Sequence, residues 1–226
     1  MLTIESARSW YRPNDPVHGF DHVLRVYRLA ERIGQAEGAD LEIVRAAVLL
    51  HDCTQLSSLR TEPTESGGSP EGLDLQSRQN HHFSGAEFAG QVLKMAGWEQ
   101  GRIEAVQHCI RAHRFRDDRE APQTLEAQIV FDADKLDAIG AIGAARAIAY
   151  AVKAGHPVYA EPSELFRSTG QCEPGESHSS FHEYLFKLQH IRDRLYTPSA
   201  RQIAQERHRF LAEFYERLGL EIDGKM

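Results

Sequence analysis

Arg-Ala-Ala-Val-Leu-Leu-His-Asp, which occupies residues 45–52, is an apolar run that ends in two side chains able to bind a metal ion. Both His51 and Asp52 lose hydration in an apolar interior, so a core helix gains nothing from ending in this pair unless a partner compensates. A divalent cation is such a partner, because neutral imidazole and carboxylate are good ligands for ions such as zinc, manganese and iron. The alternative is that the pair marks only the polar end of a core helix. Ligands elsewhere in the chain decide between the two interpretations.

The chain around this run shows helical spacing of apolar residues and no strand alternation of any length. Gly, Pro and Ser are concentrated in two stretches, 57–80 and 155–180, which predicts two long loops. The expected helices cover residues 3–11, 23–33, 41–51, 82–95, 99–113, 124–150, 181–195 and 199–218, with Phe210 and Leu211 as core contacts of the last. The sequence therefore predicts an all-α protein that forms a single domain over residues 1–226.

The composition is typical of a soluble globular protein, with 26% charged and 41% hydrophobic residues in a chain of 226. A formal net charge of −7 gives no global attraction for a nucleic-acid polymer or an anionic membrane. The cysteines Cys53, Cys109 and Cys172 are widely spaced and form no C-x-x-C pair, which favours reduced thiols and a cytoplasmic location. We find no signal-peptide pattern, and no apolar run approaches the ~20 residues of a membrane span.

Two further metal-competent residues are expected to point into the core. His22 heads the apolar stripe of its helix and therefore points inward from the first turn. Asp134 lies on the apolar side of the stretch 124–150, whereas Asp132 and Lys135 fall on other faces. An inward carboxylate needs a partner, and either a metal ion or a salt bridge with Lys135 supplies one.

Four sequence blocks occur together in this chain: His-x-x-x-His followed by Arg-Val, Leu-Leu-His-Asp, His-x-x-x-x-His-x-Phe, and Glu-Ala-x-Ile-Val-x-Asp-Ala-Asp-x-Leu-Asp-Ala-Ile-Gly-Ala-Ile-Gly. They occupy residues 18–26, 49–52, 108–115 and 126–143. Through these blocks the chain resembles the HD-domain superfamily of metal-dependent phosphohydrolases, strongly over residues 15–150 and more weakly towards the C-terminus. The resemblance implies a helical bundle with a metal ion inside it, and helices within 181–218 that pack on this core.

Carried over residue by residue, the resemblance implies four metal ligands: His22, His51, Asp52 and Asp134. Asp134 is preferred to Asp132 because the final ligand of the family precedes the Lys-Leu of Ala-Asp-Lys-Leu, and the helical phase agrees. One divalent ion is expected, drawn from Mn, Mg, Co, Ni, Zn and Fe. A second ion stays open, because further histidines lie between the His-Asp pair and the last aspartate, namely His81, His82, His108 and His113.

The same resemblance implies roles in a reaction. The ion would bind a water and a phosphate oxygen, and Asp52 would orient or deprotonate that water. Substrate contacts are expected from His18, Arg25, His113 and Lys135. His113 lies on the apolar face of its helix and is expected to line the site, whereas His108 is expected to face another helix. For Arg25 and Lys135 the alternative is a solvated surface charge.

The resemblance implies hydrolysis of a phosphoester or phosphoanhydride bond in a small phosphorylated substrate, in the first place a nucleotide. The most similar members suggest pyrophosphohydrolase activity on nucleoside triphosphates. No acid follows the His-Asp pair until Glu62, which disfavours a 5′-monophosphatase. The first alternative is a non-catalytic nucleotide-binding sensor of the same architecture, although a sensor is expected to lack at least one of the four ligands. The second is a di-iron oxygenase, which needs two more histidines in register. The oligomeric state stays open, a homo-oligomer included.

Overall fold

A computed structural model describes residues 2–11, 19–53, 71–114 and 119–226, and for residues 71–82 it describes the backbone alone. All regular elements in these residues are helices and none is a strand, which confirms the all-α prediction. The α-helices are α1 Ile4–Arg8, α2 Phe20–Glu37, α3 Leu41–Leu50, α4 Glu71–Met95, α5 Gln100–Ala112, α6 Leu125–Leu136, α7 Gly140–Lys153, α8 Glu164–Thr169, α9 Ser180–Phe186 and α10 Pro198–Ile222. Two short 3₁₀ turns follow α9, at Leu188–His190 and Arg192–Arg194.

The chain divides into two compact units, Met1–Ala133 and Asp134–Met226. In the first unit α3 contacts α1, α2, α4 and α5. This helix is apolar on almost every side, with buried residues that include Ala46, Ala47 and Leu50. A helix that is hydrophobic all round belongs in a core, so the run that ends in the His-Asp pair lies at the centre of its unit. Among the helices of the described ranges, none is both long and apolar enough to cross a membrane.

The start of α3 is fixed by the side chain of Asp40. One carboxylate oxygen accepts hydrogen bonds from the backbone N–H groups of Glu42 and Ile43, at 3.0 and 3.3 Å. Arg102 on α5 donates to both oxygens of the same carboxylate, at 2.9 and 3.2 Å. That hydrogen bond is the main cause of the lowered pKa of Asp40. One side chain therefore caps α3 and ties it to α5.

We expect Asp40→Ala to lower the free energy of unfolding by about 1 kcal/mol, the usual cost of a lost N-cap. Asp40→Asn keeps the capping oxygen and loses only a half-exposed ion pair, so it should cost less. Because the pKa of Asp40 is lowered in the folded chain, the advantage of the wild type over Asp40→Asn should be present near neutral pH and disappear as the pH falls through that lowered pKa. Urea unfolding of the three proteins at several pH values measures this, and an asparagine variant as unstable as the alanine variant would contradict it.

The prediction of a loop over residues 57–80 is wrong for residues 71–80, because these residues form the start of α4. Residues 54–70 lie outside the described part of the chain. Residues 73–79 are Leu-Asp-Leu-Gln-Ser-Arg-Gln, and most of these are good helix formers. The Gly, Pro and Ser residues that suggested a loop are concentrated before position 73. The loop prediction extended their effect too far along the chain.

The second unit also departs from its predicted helices. The stretch 181–195 is not one helix, because α9 ends at Phe186 and Lys187 adopts φ −130° and ψ −53° before the 3₁₀ turns. The predicted loop 155–180 contains the short helix α8. Phe210 was expected in the core but is 45% exposed, whereas its neighbour Leu211 is fully buried. Adjacent residues on a helix point in directions ~100° apart, so only one of the two faces the core.

The Ala-rich stretch 124–150 forms two helices, α6 and α7, joined by a tight turn. Gly140 opens α7 with φ 77°, a left-handed conformation that favours glycine. At Gly143 an added Cβ would lie 2.3 Å from the carbonyl oxygen of Ala138. Both glycines of Gly-Ala-Ile-Gly are therefore needed at the turn between α6 and α7.

Candidate metal centre

Three side chains of the first unit converge at the end of α3. His22 comes from the first turn of α2, and His51 and Asp52 directly follow the last residue of α3. One ligand atom from each lies within 4.8 Å of the other two. Both imidazoles are almost completely buried, at 1% exposure. The Asp52 side chain is 18% exposed, so the group opens to solvent on the carboxylate side.

The hydrogen bond of His51 fixes which ring nitrogen faces the group. Its Nδ1 lies 2.7 Å from the carbonyl oxygen of Val48. A carbonyl can only accept, so Nδ1 carries the proton, and in the neutral ring Nε2 keeps its lone pair. Nε2 lies 3.4 Å from Oδ2 of Asp52. A histidine held through one nitrogen by a backbone carbonyl is the usual arrangement of a metal ligand.

His113 repeats this arrangement at the end of α5. It follows Ala112, the last residue of the helix, and its Nδ1 donates to the carbonyl oxygen of Ile110 at 2.5 Å. Its Nε2 lies 3.7 Å from Oδ1 of Asp52, and its ring centroid lies 5.3 Å from that of His51. The structure therefore brings a third imidazole to the carboxylate.

The charge of Asp52 depends on these rings. Burial alone would raise the pKa of its carboxyl group, but the imidazoles of His51, His113 and His22 outweigh burial and hold that pKa well below its usual range. The carboxylate is therefore ionised, which is the form that binds cations.

The donor set fits a divalent transition metal. Two imidazole nitrogens and a carboxylate oxygen suit zinc, manganese, iron, cobalt or nickel, whereas magnesium prefers oxygen ligands alone. The neighbouring Cys53 is engaged elsewhere, since its sulfur contacts the carbonyl oxygen of Leu49 at 3.7 Å, and burial raises its pKa to about 12. Hence the group offers nitrogen and oxygen but no charged sulfur.

Two of the predicted substrate contacts are engaged with acids of their own. Arg25 donates to the carboxylate of Asp21 at 2.5 Å on the outer side of α2. In the second unit, Lys135 forms an ion pair with Asp134. This salt bridge is the alternative to a metal ion that was expected for Asp134. Predicted residue His18 lies outside the described residues, as do the side chains of His81 and His82.

Asp132, expected on another face of its helix, is fully buried, while the Asp134 side chain is 14% exposed. The prediction that Asp132 faces away from the core was wrong. The reason is that α6 has buried residues on all sides, among them Ile129, Phe131 and Ala133. Helical phase therefore does not separate the two acids. The choice of Asp134 rests on the sequence block alone.

His108 does not face another helix as predicted. The backbone N–H of Gln123 donates to its Nε2 at 3.1 Å, so the proton is on Nδ1, which lies 2.6 Å from Glu120. Arg111 donates to the same carboxylate at 2.6 Å. Both ring nitrogens are thus used to anchor the connector after α5. The periodicity of a helix cannot predict a contact of this kind, because Glu120 and Gln123 lie in an irregular segment.

Tyr11 was missed by the sequence analysis. Its hydroxyl donates to the carbonyl oxygen of Leu49 at 3.0 Å, two residues before His51, and its ring lies 5.3 Å from that of Phe20. Burial raises its pKa well above the usual value. Tyr11 therefore holds the last turn of α3, directly before the His-Asp pair. A Trp-Tyr pair after a short amphipathic helix was the available signal.

A family model described as HD domain matches residues 19–139, more than half of the chain. The chain belongs to the HD-domain family. The protein YpgQ of Bacillus subtilis is 31% identical over 227 residues, which covers 97% of this chain and 94% of YpgQ. The structure of YpgQ in complex with ADP superposes with a TM-score of 0.68 at 29% identity and covers 98% of this chain and 99% of that one. An HD-superfamily hydrolase of Bacillus thuringiensis gives a TM-score of 0.65 at 25% identity, over 97% and 96% of the two chains.

Proposed function

We propose that the chain is a metal-dependent phosphohydrolase that cleaves a phosphoanhydride bond of a nucleotide and releases pyrophosphate from a nucleoside triphosphate. The observation that carries the proposal is the convergence of His22, His51 and ionised Asp52 within 4.8 Å at the end of a core helix. Membership of the HD-domain family and the hydrolase among its structural relatives support hydrolysis. The solved complex of YpgQ with ADP supports a nucleotide as the ligand.

In this proposal His22, His51 and Asp52 hold the ion, and Asp134 is the fourth ligand because of its position in the block 126–143. A bound ion lowers the pKa of a coordinated water and polarises a phosphate oxygen. Asp52 orients the attacking water and accepts its hydrogen bond, since its carboxylate is partly open to solvent.

The remaining residues bind the phosphate chain. His113 places its Nε2 beside the same carboxylate and is proposed to contact a phosphate oxygen. Lys135, Arg25 and His18 are proposed to supply further positive charge or hydrogen bonds. Local donors are needed because the chain as a whole carries a net charge of −7.

The test is elemental analysis of the purified protein together with a release assay over nucleoside mono-, di- and triphosphates in added Mn, Mg, Co or Ni. We expect one transition-metal ion at the site of His22, His51 and Asp52, called the HD site from here on. We also expect pyrophosphate release from triphosphates, with a nucleoside monophosphate as the second product. Preparations without added metal and after chelation serve as controls. Phosphate instead of pyrophosphate would replace this proposal by a phosphatase. Nucleotide binding without release of phosphate or pyrophosphate would favour the sensor. Two bound irons without hydrolysis would favour the oxygenase.

A further inference from the structure

A second group of metal-competent side chains lies in the unit Asp134–Met226. Cys172 and Glu176 come from the irregular segment between α8 and α9, and His182 comes from the first turn of α9. One ligand atom from each lies within 4.8 Å of the other two. We propose that Cys172, Glu176 and His182 form a zinc-type metal site, separate from the site of His22, His51 and Asp52. The proposal does not depend on the proposed function.

Glu176 is held as a ligand would be. Its carboxylate accepts hydrogen bonds from the backbone N–H and the hydroxyl of Ser163, both at 2.7 Å, and from the backbone N–H of Glu173 at 2.6 Å. The bond from the Ser163 backbone is the main reason that its pKa falls to about 2. The side chain is only 10% exposed. A carboxylate that is ionised, nearly buried and oriented by three other donors is prepared to bind a cation.

His182 is completely buried, and its Nε2 lies 3.0 Å from Oε1 of Glu176. Two atoms bound to one ion at roughly 2.0–2.2 Å lie about 3.0–3.5 Å apart, so this separation suits a shared ion. Without metal, Nε2 carries the proton and donates it to Glu176. On metal binding that proton moves to Nδ1, which then gives up the hydrogen bond that it accepts from the backbone N–H of Ser179 at 3.3 Å and donates instead to the hydroxyl oxygen of Ser179 at 2.9 Å. That hydroxyl can accept it while donating to the carbonyl oxygen of Ala160 at 3.3 Å.

Cys172 supplies sulfur to the group. Its Sγ lies 3.7 Å from Nδ1 of His178, so a second imidazole borders the sulfur. The other nitrogen of His178 lies 3.6 Å from a carboxylate oxygen of Glu183. Burial and the charge of Glu176 raise the pKa of the Cys172 thiol. Binding therefore releases one proton from the thiol to solvent, and the thiolate keeps the electron pair that it donates to the metal.

The donor set decides the class of ion and its role. One thiolate, one imidazole and one carboxylate suit zinc and similar ions, whereas magnesium and calcium prefer oxygen alone. Two of the three ligands lie in the irregular segment and the third lies in α9. Such an ion would fasten the irregular segment to the start of α9. The rival interpretation is a metal-free hydrogen-bonded group around Glu176.

Cobalt distinguishes the two interpretations in the full-length chain. A cobalt ion bound by thiolate absorbs in the near ultraviolet through sulfur-to-cobalt charge transfer, and the proposed HD ligands contain no sulfur. We expect the cobalt-loaded wild type to show this band, Cys172→Ala and Cys172→Ser to lose it, and Cys53→Ala to keep it. The Cys172 variants should retain nucleotide hydrolysis and the metal of the HD site. Absence of the band from the wild type, its persistence in Cys172→Ala, or its loss in Cys53→Ala would overturn the proposal.

Zinc binding provides a second measurement. In an Asp52→Ala background we expect the chain to bind zinc and to gain thermal stability from it, because an ion that binds the folded state stabilises it. Adding Cys172→Ala should weaken that zinc affinity by more than about 100-fold. Removing only a residue that orients a ligand already weakens metal affinity by about 10–100-fold, so removing a ligand should cost more. Equal zinc affinity with and without Cys172 would leave the metal-free group as the explanation.

Discussion

His51→Ala is expected to remove the metal ion of the HD site and to lower nucleotide hydrolysis by more than about 100-fold, since losing an outer-shell partner alone costs 10–100-fold. The physical reason is that Nε2 of His51 is the nitrogen left with a lone pair once Nδ1 donates to Val48. Alanine fits the end of α3 without strain, so the helices should persist. Metal content, initial rate and far-ultraviolet circular dichroism measure the three parts of this prediction.

The matched control is His190→Ala, which removes an exposed histidine of the second unit and should change none of the three. Asp52→Asn should behave like His51→Ala, because it keeps the shape of the side chain but loses the charge that attracts the cation. Asp134→Asn and Asp132→Asn, compared with each other, identify the last ligand, and we expect only the first to lose metal. Full activity with unchanged metal content in His51→Ala would refute the site.

Gly143→Ala is expected to destabilise the fold by about 3 kcal/mol, at the upper end of the usual cost of overpacking. The new Cβ would lie 2.3 Å from the carbonyl oxygen and 2.4 Å from the carbonyl carbon of Ala138, so the turn between α6 and α7 must open. These Ala138 atoms belong to the backbone, so they cannot move out of the way as the end of a flexible side chain can. The urea midpoint of unfolding measures the effect.

Gly101→Ala is the control for this substitution. Gly101 also lies within a helix, α5, but its added Cβ would meet nothing within 4 Å. Alanine is the better helix former there, so this variant should be more stable by about 0.5–1 kcal/mol. Two Gly→Ala changes with opposite signs would separate the clash from helix propensity. Equal effects at both positions would mean that the tight turn relaxes without cost.

Patterns within one helix were predictable from the sequence. The stripe of α2 and the apolar run of α3 placed His22 and His51 inward, and both are buried in the structure. Periodicity was less informative where a helix is buried on every side, as at Asp132 in α6. It also placed Phe210 wrongly, because Phe210 and Leu211 are adjacent apolar residues and only Leu211 faces the core.

Contacts that depend on irregular backbone were not predictable. His108 anchors the connector after α5, and Lys187 breaks the helix expected over residues 181–195 through its backbone angles. The same holds for Glu176 and Cys172, whose approach to His182 depends on how the segment after α8 folds back. Propensities describe single elements, whereas these contacts arise from tertiary packing of loops.

Two helices end at the HD site, because His51 and His113 each follow the last residue of a helix. The carboxyl end of an α-helix carries roughly half a negative charge from its aligned peptide dipoles. Two such ends, together with the charge of the aspartate itself, favour a cation at this position and disfavour a phosphate. We therefore expect the metal ion to bind before the nucleotide, because the bound ion supplies positive charge for the phosphates.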